Sequence, residues 1–316
     1  MIKLLKTNIP LVYAISILFV FIGALSVFIQ ENSFQDDFFV WYSSSVKSIQ
    51  NNATLNYIIS AVFLLLTGFV INRAFNKTSF YLKTTALPIF IFLIILSTFG
   101  GFYFDSTYII SLIFSFLFLK LIELDQNRTA IHIGFITGII IGFSFLFSYW
   151  LLPIGLLLLF SLNVFRPFNW REWAVSILGM ILPMFYLLSL KYLIHGSISL
   201  KSMPIQSAII EYNWIDYLSF SILILITLIS LIKLRNQFKY ILNIERKQVN
   251  ILTFFTFLTF AISASIYWVY GIKYLLFIVP LALLLSIPIL NAKHNGMLNT
   301  LFIALVILNL LRIFVF

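Results

Sequence analysis

Cysteine is absent from this chain of 316 residues, and only three histidines and ten acidic residues are present. Without thiols there is no disulfide, no thiolate nucleophile and no thiolate metal site, and nothing marks a redox compartment. His132, His195 and His294 are far apart in sequence, and the layout derived below puts them on opposite sides, so no histidine metal centre is expected. Also missing are a Walker loop, a dinucleotide fingerprint after a strand, His-Glu-x-x-His and Gly-x-Ser-x-Gly, which removes the familiar soluble enzyme classes. Long polar stretches are missing too, so no part of the chain reads as a soluble domain.

What is there is apolar: 62% of the residues are hydrophobic, 9% are charged, 36 are Phe, and mean hydropathy is +1.07. No soluble core hides that much apolar surface, so the composition describes a membrane protein. The net charge of +10 raises nucleic acid as a partner, but the basic residues punctuate the ends of apolar runs rather than forming a patch. That is the pattern of topology determinants, and no nucleic-acid partner is expected. Met1 to Lys6 resembles the basic start of a signal peptide, yet the run Pro10 to Ile29 is too long and no small-x-small cleavage site follows. It reads as a first span.

A span needs about 20 apolar residues, and helices satisfy their own backbone in lipid. This rule predicts a single all-α transmembrane bundle over residues 1–316 with about eleven spans: 9–29, 53–72, 84–103, 107–123, 130–148, 150–165, 174–194, 217–234, 250–268, 272–291 and 297–315. The pair around Tyr149-Trp150 also reads as one helical hairpin. Pro88, Pro153, Pro183, Pro280 and Pro288 are expected to kink their helices.

Charge tests the count. With the N-terminus in the cytoplasm, the inner side collects fifteen of the twenty basic residues and four of the ten acids, a net +11 against −1 outside. This agrees with the positive-inside rule, and a miscount in the middle would scramble it. All six tryptophans fall at span ends or in connections, as expected of headgroup-level rings.

Three connections exceed a tight turn. The outer loop 30–52 carries Phe38, Phe39, Trp41, Tyr42, Val46 and Ile49 among serines and Lys47, as in a short interfacial amphipathic helix. The second, also outer, is 195–216. The third, 233–248, is basic and inner, and is expected to rest against anionic lipid headgroups.

Candidate chemistry lies outside. Glu31 with Asp36 and Asp37 follows the first span, and Asp105 lies at the next outer turn. Asp36, Asp37 and Asp105 are the catalytic candidates, because carboxylates there would act as general bases or hold a divalent cation at the membrane surface. The plainer reading is a few solvated acids, with Asp105 capping the next helix together with Ser106 and Thr107. Lys191, His195 and Lys201 are the candidates for holding a lipid phosphate. The plainer reading for Lys191 and for Arg312 is snorkelling to the headgroups. Gly134, Gly138 and Gly142 form a small-xxx-small ridge for close helix approach. Arg166-Pro-Phe-Asn-Trp-Arg-Glu-Trp173 reads as a basic, aromatic interfacial anchor. Asn52-Ala-Thr, Asn76-Lys-Thr and Asn127-Arg-Thr match the glycosylation sequon by chance.

The glycine ridge, Tyr149-Trp150-Leu-Leu-Pro153 and the 166–173 stretch with Gly179 and Pro183 together resemble a family of polytopic inner-membrane proteins of Bacteroidetes, classed as a domain of unknown function. The resemblance runs over most of the chain and implies a bacterial inner membrane, but no activity. In layout alone the chain also resembles glycosyltransferases of the C superfamily (GT-C), which use polyprenyl-phosphate sugars: Asp36 and Asp37 stand just past the first span, where those enzymes place a catalytic acid. That likeness implies an outer-face transferase with a polyprenyl-phosphate lipid as partner. The alternatives are a scaffold subunit of an envelope complex or a small transporter. Transporters mark their path with mid-span ionisable groups or broken helices, and such groups are scarce here.

Overall fold

In the computed structural model the chain is described over residues 9–29, 52–78, 80–81, 84–99, 102, 104–124, 130–166, 168–195, 214–238, 242–270, 275–291 and 296–315. The described residues form eleven α-helices: α1 Ile9–Ile29, α2 Ala53–Lys77, α3 Leu87–Thr98, α4 Ser106–Leu121, α5 Ile131–Phe145, α6 Gly155–Phe165, α7 Trp170–His195, α8 Trp214–Gln237, α9 Asn243–Tyr270, α10 Ile278–Asn291 and α11 Gly296–Val315. A 3₁₀ helix, Tyr149–Ile154, leads into α6. Among them, Ala53–Lys77, Trp170–Leu190, Trp214–Gln237 and Asn243–Trp268 are long and apolar enough to cross a membrane.

Hydropathy located the helices well and their lengths poorly. α3 and α10 are shorter than the runs 84–103 and 272–291 that contain them. Conversely, α8 runs on to Gln237 and α9 begins at Asn243, so the basic segment 233–248 consists mostly of two helix ends. The interfacial helix expected within 30–52 lies outside the described residues.

Two of the proline expectations need correction. Pro88 and Pro280 sit in the first turns of α3 and α10, where the missing N–H has no helical acceptor to lose, so neither kinks its helix. Pro153 falls in the 3₁₀ helix. Pro183 and Pro288 do lie inside α7 and α10.

α3 and α10 pack against each other at the centre of the bundle, ringed by α1, α2, α4, α8, α9 and α11. Every residue of α3 is buried. A helix that is apolar all round has no face to offer water, and here it is enclosed by protein. α5 and α7 pack closely along their length, and the glycine ridge explains it. A Cβ on Gly138 would stand 2.4 Å from the Ser176 carbonyl oxygen, and one on Gly142 would stand 2.5 Å from that of Met180. On the α7 side, Gly179 faces the Phe135 carbonyl oxygen at 2.6 Å in the same sense. Only hydrogen fits at these backbone crossings.

The outward faces are apolar. Leu178, Ile181 and Phe185 on α7, and Ile224, Leu228 and Ile232 on α8, are all exposed at helical spacing. The inward face of α8 instead carries Asp216, Ser219 and Ser230 among its aliphatics. Apolar outside with polar residues inside is the arrangement that lipid, rather than water, selects.

Contacts between distant residues sort into two ends. At one end Lys77 meets Glu123, Asn76 meets Thr85, Asn291 meets Phe80, and Lys247 meets Phe165. At the other, Asn56 meets Phe104, and Asp216 meets Arg312 beside Thr98.

Candidate functional site at one end of the bundle

Of the candidate residues, Asp105 is the one whose side chain the structure describes. Asp36, Asp37 and Lys201 lie outside the described residues. Lys191 and His195 fall on the last turns of α7, and their side chains lie outside the description. Asp105 is the N-cap of α4: its Oδ1 accepts from the Thr107 backbone N–H at 3.0 Å and from the Thr107 hydroxyl. A carboxylate so placed satisfies an orphan helix donor and sits favourably at the positive end of the helix dipole. The plainer reading of Asp105 therefore accounts for its geometry.

Beside this cap is a small cavity lined by Leu64, Phe92, Leu96, Thr107, Tyr108, Ser111, Leu275 and Ile278. It has room for about one water and is far too small for a sugar or a lipid headgroup. Among the described residues no group of three His, Asp or Glu side chains is placed to hold a metal ion.

At the same end lies a polar cluster that reading the sequence missed. Asp216, 6% exposed in its side chain, pairs with Arg312 at 3.0 Å. Arg312 also donates to the carbonyl oxygens of Thr98 at 2.8 Å and Ser97 at 3.4 Å. Asn309, one turn earlier on α11, donates to the Ser97 hydroxyl at 2.6 Å and the Ile94 carbonyl at 3.2 Å. The guanidinium thus caps the C-terminus of α3, where helix carbonyls lack intrahelical donors and the dipole is negative. Snorkelling is not the role of Arg312, because its charge is spent inside the bundle on α3 and α8. The signal available in sequence was Asn309 and Arg312 at i, i+3 on one helix face, with Asp216 at the start of another.

The opposite end is organised around two carboxylates. Glu172, 3% exposed, pairs with Arg166 at 2.7 Å and accepts from the Ala130 backbone N–H at 3.2 Å. It therefore ties the turn before α7 to the N-terminus of α5. The 166–173 stretch is a structural lock as well as an aromatic surface: Phe168 and Trp173 pack edge to face, and Arg171 lies 5.8 Å from the Trp170 ring centre. Glu123, in the turn after α4, bridges Lys77 at 2.8 Å and Lys120 at 2.9 Å. Partial burial pushes its carboxyl up, but the hydrogen bonds and charges of the two lysines outweigh that and hold it below its ordinary value.

Asn52 caps α2, accepting from Thr54 N at 3.2 Å and from the Thr54 hydroxyl at 2.6 Å. Its sequon spacing is thus helix-capping chemistry. No protein-family model, curated protein or solved structure matches the chain.

Proposed function

We propose that the chain is a multi-pass protein of a bacterial inner membrane, crossing eleven times with its N-terminus in the cytoplasm and its C-terminus outside. It belongs in this reading with the Bacteroidetes inner-membrane family it resembles. Its activity is glycosyl transfer at the outer face from a polyprenyl-phosphate sugar. Asp36 or Asp37 takes the proton of the acceptor hydroxyl or holds a divalent cation, and Lys191, His195 or Lys201 steadies the lipid phosphate. Asp105 supports that face by fixing the start of α4.

One observation carries the reading. The chain ends that flank 30–51 and 196–213 lie at the same end of the bundle as Asp105: Asn56 accepts from the Phe104 N–H, and Asp216 joins Arg312 and α3. That shared end supports reading the two connections, which carry the other candidate acids and cations, as parts of one face. The test is transfer from a polyprenyl-phosphate sugar by the full chain reconstituted in vesicles. Asp36→Asn or Asp37→Asn is expected to lower turnover about a hundredfold, the usual worth of a general base. Unchanged turnover in both variants ends the transferase reading.

A scaffold role is the second reading, and the exposure of α7 favours it. Only 17% of its apolar window is buried inside the chain, against 33% for α8 and 44% for α9. Copurification of a fixed partner that is lost on Phe185→Ala would support that role in place of catalysis.

A further inference from the structure

We infer that the end of the bundle bearing Glu172 carries a built site for an anionic glycerophospholipid of its own leaflet, formed jointly by the turn before α7 and the start of α9. The inference rests on the membrane reading of the bundle and is independent of the transferase reading.

These two segments are far apart in sequence and meet where Lys247 Nζ donates to the Phe165 carbonyl oxygen at 3.4 Å. Phe160 and Phe254, stacked with centroids 4.2 Å apart, hold α6 and α9 together behind it. Phe168 is three residues beyond Phe165, at most about 11 Å of chain. Ile244 and Leu242 precede Lys247 by three and five residues, about 5–8 Å along a helix. The juxtaposition brings the turn before α7 and the start of α9, which carry four large apolar side chains and the cations Arg171 and Lys247, to one end of the bundle. All four are strongly exposed: Phe168 by 67%, Trp170 by 65%, Leu242 by 68% and Ile244 by 58%. Arg171 is exposed beside the Trp170 ring. Lys247 uses one of its three donors on Phe165 and retains the others.

Apolar side chains that dip to the acyl boundary, with guanidinium and ammonium groups at phosphate height, match a phospholipid and neither water nor a zwitterionic surface in particular. The surrounding charge agrees. From 233 to 248 there are five basic residues and one acid. The anionic headgroup is therefore the occupant that the charge selects.

The test uses the full chain in nanodiscs of phosphatidylcholine alone and of phosphatidylcholine with phosphatidylglycerol. Thermal unfolding and retained phosphatidylglycerol, counted by native mass spectrometry, are both read. Phosphatidylglycerol is expected to raise the Tm of the wild type. Arg171→Gln with Lys247→Gln is expected to weaken retention about fivefold per charge removed, while Arg171→Lys keeps it. Arg73→Gln, an exposed cation elsewhere on the chain, is expected to change nothing. If the double variant fails to fold, Arg171→Gln alone gives the same reading, since its exposed side chain supports no core contact. Equal losses for Arg73→Gln and Arg171→Gln would mean diffuse attraction and overturn the site, as would a wild type indifferent to phosphatidylglycerol.

Discussion

Arg312→Met removes the ion-pair partner of the buried Asp216 carboxylate and uncaps the Ser97 and Thr98 carbonyls. Breaking a buried pair from one side costs about 3 kcal/mol, whereas replacing both partners by apolar side chains is close to neutral. Asp216→Leu with Arg312→Met is therefore expected to be more stable than Arg312→Met alone, read as detergent-solubilised Tm. Additive losses would show that the two charges act independently. Glu123 gives a pH signature. Its carboxyl is held below the ordinary value of 4.5, so the native state binds fewer protons than the unfolded one. The stabilisation is present above 4.5 and is lost as pH falls through the lowered native value. It is small, under about 1 kcal/mol, because all three side chains are partly exposed. The wild type is expected to exceed Glu123→Gln in Tm at neutral pH and to converge with it in acid; a constant gap would contradict this. Legibility at this scale followed sequence distance. The Asp105 cap is written in adjacent residues and was readable. Asp216 and Arg312 are separated by two intervening helices, and nothing local announces that they meet.

At the scale of elements, the α5–α7 crossing makes the sharpest claim. Gly138→Ala adds a Cβ 2.4 Å from a backbone oxygen, which no rotamer change relieves, so the helices must separate. The expected cost is about 1–3 kcal/mol, the usual range for overpacking. Gly155→Ala meets the flexible Met180 sulfur at 3.2 Å and is expected to cost less, and Gly296→Ala meets nothing within 4 Å and is expected to be neutral. A Tm series in which all three behave alike would contradict the close crossing. The ridge was legible because its repeat of four matches one helix face. The central placement of α3 and α10 was not, because lipid and protein interior select the same apolar residues. Hydropathy therefore cannot distinguish a short enclosed helix from a lipid-facing one. Length carries the difference: at 12 and 14 residues these helices reach only about 18–21 Å, short of a bilayer core of about 30 Å.

Among the described residues the bundle has two chemically different ends, one holding Lys77, Lys120, Arg166 and Lys247, the other holding Asp105 and the Asp216–Arg312 cluster. In the proposed eleven-crossing arrangement this difference follows, since each helix passage exchanges one end for the other. The lack of native cysteine turns that into a clean experiment, because any introduced cysteine is the sole thiol. The proposed arrangement puts Ser43→Cys and Ser202→Cys outside, and Ser79→Cys and Asn236→Cys inside. In intact cells stripped of their outer membrane, a membrane-impermeant maleimide is predicted to label the first pair at once and the second pair only after the inner membrane is permeabilised. Labelling of Ser43→Cys and Asn236→Cys from the same side would contradict the eleven-span arrangement, and with it the outer face on which the proposed chemistry depends.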